Sequence, residues 1–169
     1  MIQGEVEGEV EGEDRCIVRV AGLADAGGIA RLINAAFLVE KVFIDGERIT
    51  EEEVRRLLGQ GCFLEVEEER GVAGCVYIEC RGERAYLGLL SVKPSLQRGG
   101  LGSRLVAAAE EHARQTGCKF VDLRIVNLRT ELPAYYHRLG YEETGVAQFP
   151  ENIPTRLQCH FIIMSKRIA

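Results

Sequence analysis

The stretch SVKPSLQRGGLGSRLVAAAEEHA, Ser91–Ala113, limits what this chain can fold into more than any other. An apolar run ends at Pro94, glycines 99, 100 and 102 follow, and a long helical pattern begins at Gly102. Proline does not continue a sheet ladder and a glycine cluster does not continue a helix, so the chain must pass here from strand to helix. The structural outcome is a turn in which glycine supplies unusual backbone angles. The functional outcome is an anion cradle, because a helix N-terminus offers unpaired N–H groups and the positive end of the helix dipole. Two familiar phosphate loops fail on residue type. A P-loop needs Gly-Lys-[Ser/Thr], and no Gly-Lys pair occurs in the chain. A dinucleotide-binding turn built on Gly100 and Gly102 needs a third glycine where Leu105 stands.

The flanking pattern sets the order of elements. RCIVRVAGLADAGGIARLINAAF predicts a strand over Cys16–Val20, then a helix capped by Asp25 with Ile29, Leu32, Ile33, Ala36 and Phe37 at helical spacing. ITEEEVRRLLGQG predicts a second helix, with Thr50 as cap, Glu53 at the capping-box position and Gly59 as stop. The segment Leu38–Ile49 between them has no strong period and reads as a loop. CFLEVEEE, GVAGCVYIEC and RAYLGLLSVKP read as strands joined by the turns ERG and RGER. A helix from Gly102 to about Thr116 stops at Gly117. After it come the strand KFVDLRIV, a short helix LPAYYHRLG stopped by Gly140, and the strand YEETGVAQF. A proline-bearing loop leads to the closing strand CHFIIMSKRI. The order β-α-α-β-β-β-α-β-α-β-β is that of a mixed α+β protein.

Composition excludes several classes. The 169 residues, 46% hydrophobic and 28% charged, suit one globular domain, expected over residues 15–169. No apolar run approaches the ~20 residues of a membrane span, and no export signal is legible, so the expected location is cytoplasmic without membrane association. Of the 26 acids, six lie in GEVEGEVEGED, Gly4–Asp14, which has no base. The rest of the chain is nearly neutral, so no nucleic-acid surface is expected, and residues 1–14 read as a flexible acidic tail. Cys16, Cys62, Cys75, Cys80, Cys118 and Cys159 lack CxxC or zinc spacing, so reduced thiols and no metal are expected.

Val92-Lys93-Pro94 followed by Gln97-Arg98-Gly99-Gly100-Leu101-Gly102 fits V-x-P and then Q-R-x-G-x-G ahead of a long helix. In this the chain resembles the pyrophosphate loop of the GNAT-superfamily N-acetyltransferases. A second likeness lies in YYHRLGY, where Tyr135, Tyr136, Leu139, Gly140 and Tyr141 occupy that family's aromatic, Leu-Gly and aromatic places. The element order matches as well, so the resemblance runs from roughly Arg15 to Ile168. It implies the acyl-CoA N-acyltransferase fold: a central, mostly antiparallel sheet of about seven strands, flanked by about four helices. In that fold the strands Tyr86–Val92 and Lys119–Val126 splay apart.

The resemblance also implies a chemistry, transfer of acetyl from acetyl-CoA to a primary amine of a small molecule, peptide or protein by direct attack in a ternary complex. The backbone of Leu90, Ser91 and Val92 is expected to bind the pantetheine arm. The N–H groups from Arg98 through Gly99, Gly100, Leu101, Gly102 and Ser103 are expected to hold pyrophosphate, with Gln97 opening the motif and Arg98 and Arg104 adding charge. Asn127 stands near a coenzyme-contacting asparagine of the family, at a spacing to Tyr136 two residues longer than usual. Tyr136 is the expected general acid, with Tyr135 as packing. The base is unassigned: many relatives carry glutamate near Gly88, and a water chain, Glu79 or His160 are the alternatives here. The other reading is a catalytically silent acyl-CoA-binding or regulatory module; a homodimer is compatible with either. Cys159-His160 is no nucleophilic dyad, since strand neighbours face opposite sides.

Overall fold

The computed structural model describes residues 17–169, so the acidic repeat, Arg15 and Cys16 lie outside the described residues. Seven strands form one mixed sheet: β1 (Val18–Val20), β2 (Cys62–Glu68), β3 (Gly71–Arg81), β4 (Arg84–Val92), β5 (Phe120–Val126), β6 (Glu142–Gln148) and β7 (His160–Arg167). Their spatial order is β1-β2-β3-β4-β5-β7-β6. All neighbours are antiparallel except β4 and β5. Four α-helices complete the fold, as expected: α1 (Ala26–Ala36), α2 (Glu51–Leu58), α3 (Leu101–Gln115) and α4 (Leu132–Arg138).

Period-two alternation divides the sheet between two cores. Cys75, Tyr77 and Phe63 face α1 and α2, where Ile29, Ile33 and Val54 meet them. Val76, Ile78, Leu87 and Leu123 face α3, packing against Leu105, Val106 and Ala109. Cys75 and Cys80 fall in opposite cores, as their odd spacing requires. Every cysteine among the described residues is a free thiol. No helix among those residues is long and apolar enough to cross a membrane.

Local signals held at most helix ends. Thr50 Oγ1 accepts from Glu53 N at 3.2 Å, and Gly117 and Gly140 stop their helices at φ +96° and +94°. Three details differ from the sequence reading. A 3₁₀ turn, Leu23–Asp25, precedes α1, and the Asp25 carboxylate turns back to accept from Gly22 N at 2.8 Å instead of capping α1. Part of the expected loop is a 3₁₀ helix, Phe37–Val42. His112, whose spacing along α3 is that of an exposed residue, is half-buried with Nε2 3.4 Å from Cys62 Sγ.

Glu65 carries a pH dependence. Its side chain is fully buried and makes no hydrogen bond in good geometry; its opposite charge is the half-exposed guanidinium of Arg19, 2.5 Å away. Burial, and then Asp25, push its carboxyl up to about 7, with Arg19 opposing. The folded state therefore holds a proton that the unfolded state has released. Stability from this group is complete below about pH 4.5 and is lost as pH rises through about 7. Urea unfolding at about pH 5 and about pH 8 should show that loss, and Glu65→Gln should reduce it by about 1–3 kcal/mol. An unchanged pH slope in the variant would place the dependence elsewhere.

Candidate active site

The sheet opens in its middle. β4 and β5 pair only at Arg84–Phe120, Ala85–Val121 and Tyr86–Asp122. Beyond Tyr86, β4 keeps its ladder to β3, and its other edge loses its strand partner. Backbone N–H and C=O groups of a β-edge take an extended ligand chain without asking for particular side chains. This edge includes Leu90, Ser91 and Val92.

β4 is also bulged there. Cys75 pairs with Ser91 and Tyr77 with Gly88, so two residues of β4 oppose one of β3. Leu89 takes φ +54°, a left-handed conformation unusual for a leucine, and Ser91 Oγ donates to its carbonyl at 3.0 Å. The buried Ser91 hydroxyl thus supports the bulge.

The open edge leads to the glycine loop. After the 3₁₀ turn Pro94–Leu96, the Gln97 side-chain nitrogen donates to Val92 O at 3.2 Å, folding the loop back on β4. Arg98 and Gly100 lie at φ +70° and +83°. Left-handed residues of this kind curl successive N–H groups into a concavity suited to anions. α3 then starts at Leu101 with no side-chain cap, so its first-turn amides meet the cleft uncapped and with the helix dipole behind them. Arg98 and Arg104 are exposed beside this start.

A side chain at Gly102 would meet a residue of α4. A Cβ there would stand 2.9 Å from Tyr135 Oη. Tyr135 Oη is also 3.4 Å from Ser103 Oγ, so this residue, expected to be plain packing, covers the start of α3. Its role depends on α4 lying over α3, which no spacing signals.

Tyr136 lies on α4 with 7% of its surface exposed, edge-on to Tyr135 at 5.0 Å and Tyr141 at 5.8 Å between ring centroids. Burial, followed by the neighbouring Tyr135 phenol, raises its affinity for its proton; Arg129 opposes. The phenol is therefore held in its protonated form. α4 is held in place by the buried Tyr141, whose hydroxyl donates to Glu110 Oε1 at 3.0 Å. Lys166 Nζ binds the same carboxylate at 3.0 and 2.9 Å.

Three other candidates are now placed. Asn127 Oδ1 accepts from His160 N at 2.9 Å, so its oxygen ties β5 to β7, while its amide nitrogen makes no side-chain hydrogen bond among the described residues. Glu79 is gripped by Arg81 at 3.0 and 2.9 Å and by Tyr77 at 3.2 Å. The Arg81 bonds hold its carboxyl below the usual range, which weakens it as a base. His160 is an exposed residue at the start of β7.

The loop after α1 and the loop between β6 and β7 meet. Ile44 bridges Thr155, Arg156 N donates to Phe43 O at 2.8 Å, and Arg156 Nε donates to Asp45 Oδ1 at 2.8 Å. Glu40, buried at the same place, accepts from Arg129 Nη1 at 3.1 Å, which joins this loop to the β5–α4 connection.

Comparison with known proteins gives a consistent result. Residues 30–141 match the acetyltransferase (GNAT) family. The amino-acid acetyltransferase of Pseudomonas putida (strain GB-1) is 29% identical over 136 residues, which cover 79% of this chain and 29% of that protein. The chain thus spans under a third of the length of that curated relative. The ribosomal-protein-S18-alanine N-acetyltransferase of Escherichia coli superposes with a TM-score of 0.74 at 17% identity, covering 90% of this chain and 94% of that one. A Salmonella typhimurium protein solved with its cofactor acetyl-CoA gives 0.69 at 22% identity, over 90% and 94%. These two likenesses establish a shared fold.

Proposed function

The chain belongs to the acetyltransferase (GNAT) family, and from that premise we propose that it moves acetyl from acetyl-CoA to a primary amine by direct attack in a ternary complex. One observation carries this reading: β4 and β5 part after Tyr86, and the gap leads to the uncapped, glycine-built start of α3. A thioester-bearing arm needs an extended backbone edge and its pyrophosphate needs free amides; here the two are continuous.

The residues then divide the work. The edge at Leu90, Ser91 and Val92 binds the arm, and one of its N–H groups polarises the thioester carbonyl. The amides from Arg98 to Ser103 hold the pyrophosphate, and Arg98 and Arg104 add charge. The amide nitrogen of Asn127 is the remaining donor at the end of β5. Tyr136 protonates the departing thiolate. Residues 15–169 form the single catalytic domain, with no metal required of it. The acceptor is an amine of a small molecule or peptide. The names of its relatives make free amino acids and peptide N-termini the first panel to try.

The test is thiol release from acetyl-CoA across such a panel, beside calorimetric titration of the coenzyme. Release with at least one amine, together with the acetylated product by mass spectrometry, is expected. Tight coenzyme binding with no release from any amine would favour a silent acyl-CoA-binding module.

A further inference from the structure

With Glu79 gripped by Arg81 and His160 exposed, the acceptor side of the cleft lacks an obvious group to handle the amine proton. We propose that the Tyr86 phenol does so, contacting the attacking nitrogen and taking its proton; this rests on the acetyl-transfer reading above. Tyr86 is the last β4 residue paired with β5, so it stands at the apex of the splay. Its half-buried side chain joins the core on the α1/α2 face, whereas Tyr136 belongs to the core on the α3 face. The two phenols therefore approach the opening from opposite sides of the sheet, yet lie near enough that Tyr86 adds to the proton affinity of Tyr136.

Gly88 explains how the hydroxyl gets there. A Cβ on Gly88 would stand 2.9 Å from both Cε1 and Oη of Tyr86 and 3.1 Å from Cζ. The ring folds over the glycine, and the phenolic oxygen occupies the space where a side chain at 88 would begin. The place a carboxylate at position 88 would take is filled by the tyrosine from two residues earlier.

The proton balance closes with this pair. The neutral amine nitrogen forms a bond to the thioester carbonyl carbon, and the carbon–sulfur bond breaks with its electrons going to sulfur. Tyr86 Oη takes the N–H proton as its own O–H proton passes to water. Tyr136 gives a proton to sulfur and recovers one from water. The net change moves one proton from nitrogen to sulfur.

Tyr86→Phe keeps the ring and removes the oxygen. It is expected to lower kcat by about 10–100-fold, with KM and Kd for acetyl-CoA unchanged. Gly88→Ala, which must push the ring aside, should lose activity to a similar degree. The double variant should be no slower than Tyr86→Phe alone, since the hydroxyl that a shifted ring would misplace is already gone. Wild-type turnover in Tyr86→Phe overturns the assignment while acetyl transfer stands, and so does equal weakening of coenzyme binding. Fully additive losses also overturn it. A wild-type chain that binds acetyl-CoA but acetylates no amine overturns both readings.

Discussion

Tyr136→Phe should slow amine acetylation by about 10²–10⁴-fold while leaving coenzyme affinity unchanged. The phenylalanine ring preserves both edge-on contacts, at 5.0 Å to Tyr135 and 5.8 Å to Tyr141, so packing of α4 survives. Only the hydroxyl is lost. Burial holds that hydroxyl protonated, so under the proposed mechanism it is the hydroxyl present to meet the leaving thiolate. A coenzyme thiol with a pKa near ~8.5 is already a fair leaving group, which keeps the effect within the ordinary range of acid catalysis. Initial rates and calorimetry on the same preparation decide the matter. Unchanged turnover removes Tyr136 from the mechanism, and loss of coenzyme binding makes it a structural residue of the cleft. Tyr136→Ala is the poorer probe, because deleting a buried ring costs about 3–5 kcal/mol of stability by itself.

Gly102→Val should weaken coenzyme binding by about 10²-fold, near 2.7 kcal/mol. The new Cβ would lie 2.9 Å from Tyr135 Oη, 3.8 Å from Val92 Cγ2 and about 4.0 Å from Leu90 Cδ2. It would enter between the first turn of α3 and the open edge of β4, the passage assigned to arm and pyrophosphate. A mere turn predicts something different. Replacing glycine inside a helix by alanine adds about 0.5–1 kcal/mol, so Gly102→Ala would raise the melting temperature without changing coenzyme affinity. We expect Gly102→Ala to weaken binding, with partial recovery when Tyr135→Phe removes the oxygen it meets. A more stable Gly102→Ala protein with native coenzyme affinity would return the stretch to an ordinary turn.

What was legible in the sequence was local. Thr50 capping Glu53 N, the left-handed stops at Gly117 and Gly140, and the strand–glycine–helix passage each depend on residues within a few positions of one another. The failures have a common cause, since each involves a partner distant in sequence or a contest between near neighbours. Asp25 carries good capping chemistry, but its carboxylate accepts from the Gly22 N–H and makes no bond to the first turn of α1. Glu65 sits in the run LEVEEE, read only as part of a strand; its burial beside Arg19 of β1 depends on a strand more than forty residues earlier. His112 has the spacing of an exposed helix residue and meets Cys62 from a strand fifty residues away.

The sequence by itself determined the order of elements, the glycine start of α3 and the aromatic run that places Tyr136, because backbone preferences and helical or strand periods act over short stretches. Only the tertiary structure decided that β4 leaves β5 after Tyr86, that Tyr135 covers Gly102, and that the Tyr86 ring lies over Gly88. Strand register and side-chain packing are agreements between segments far apart in the chain, and neither segment alone records them.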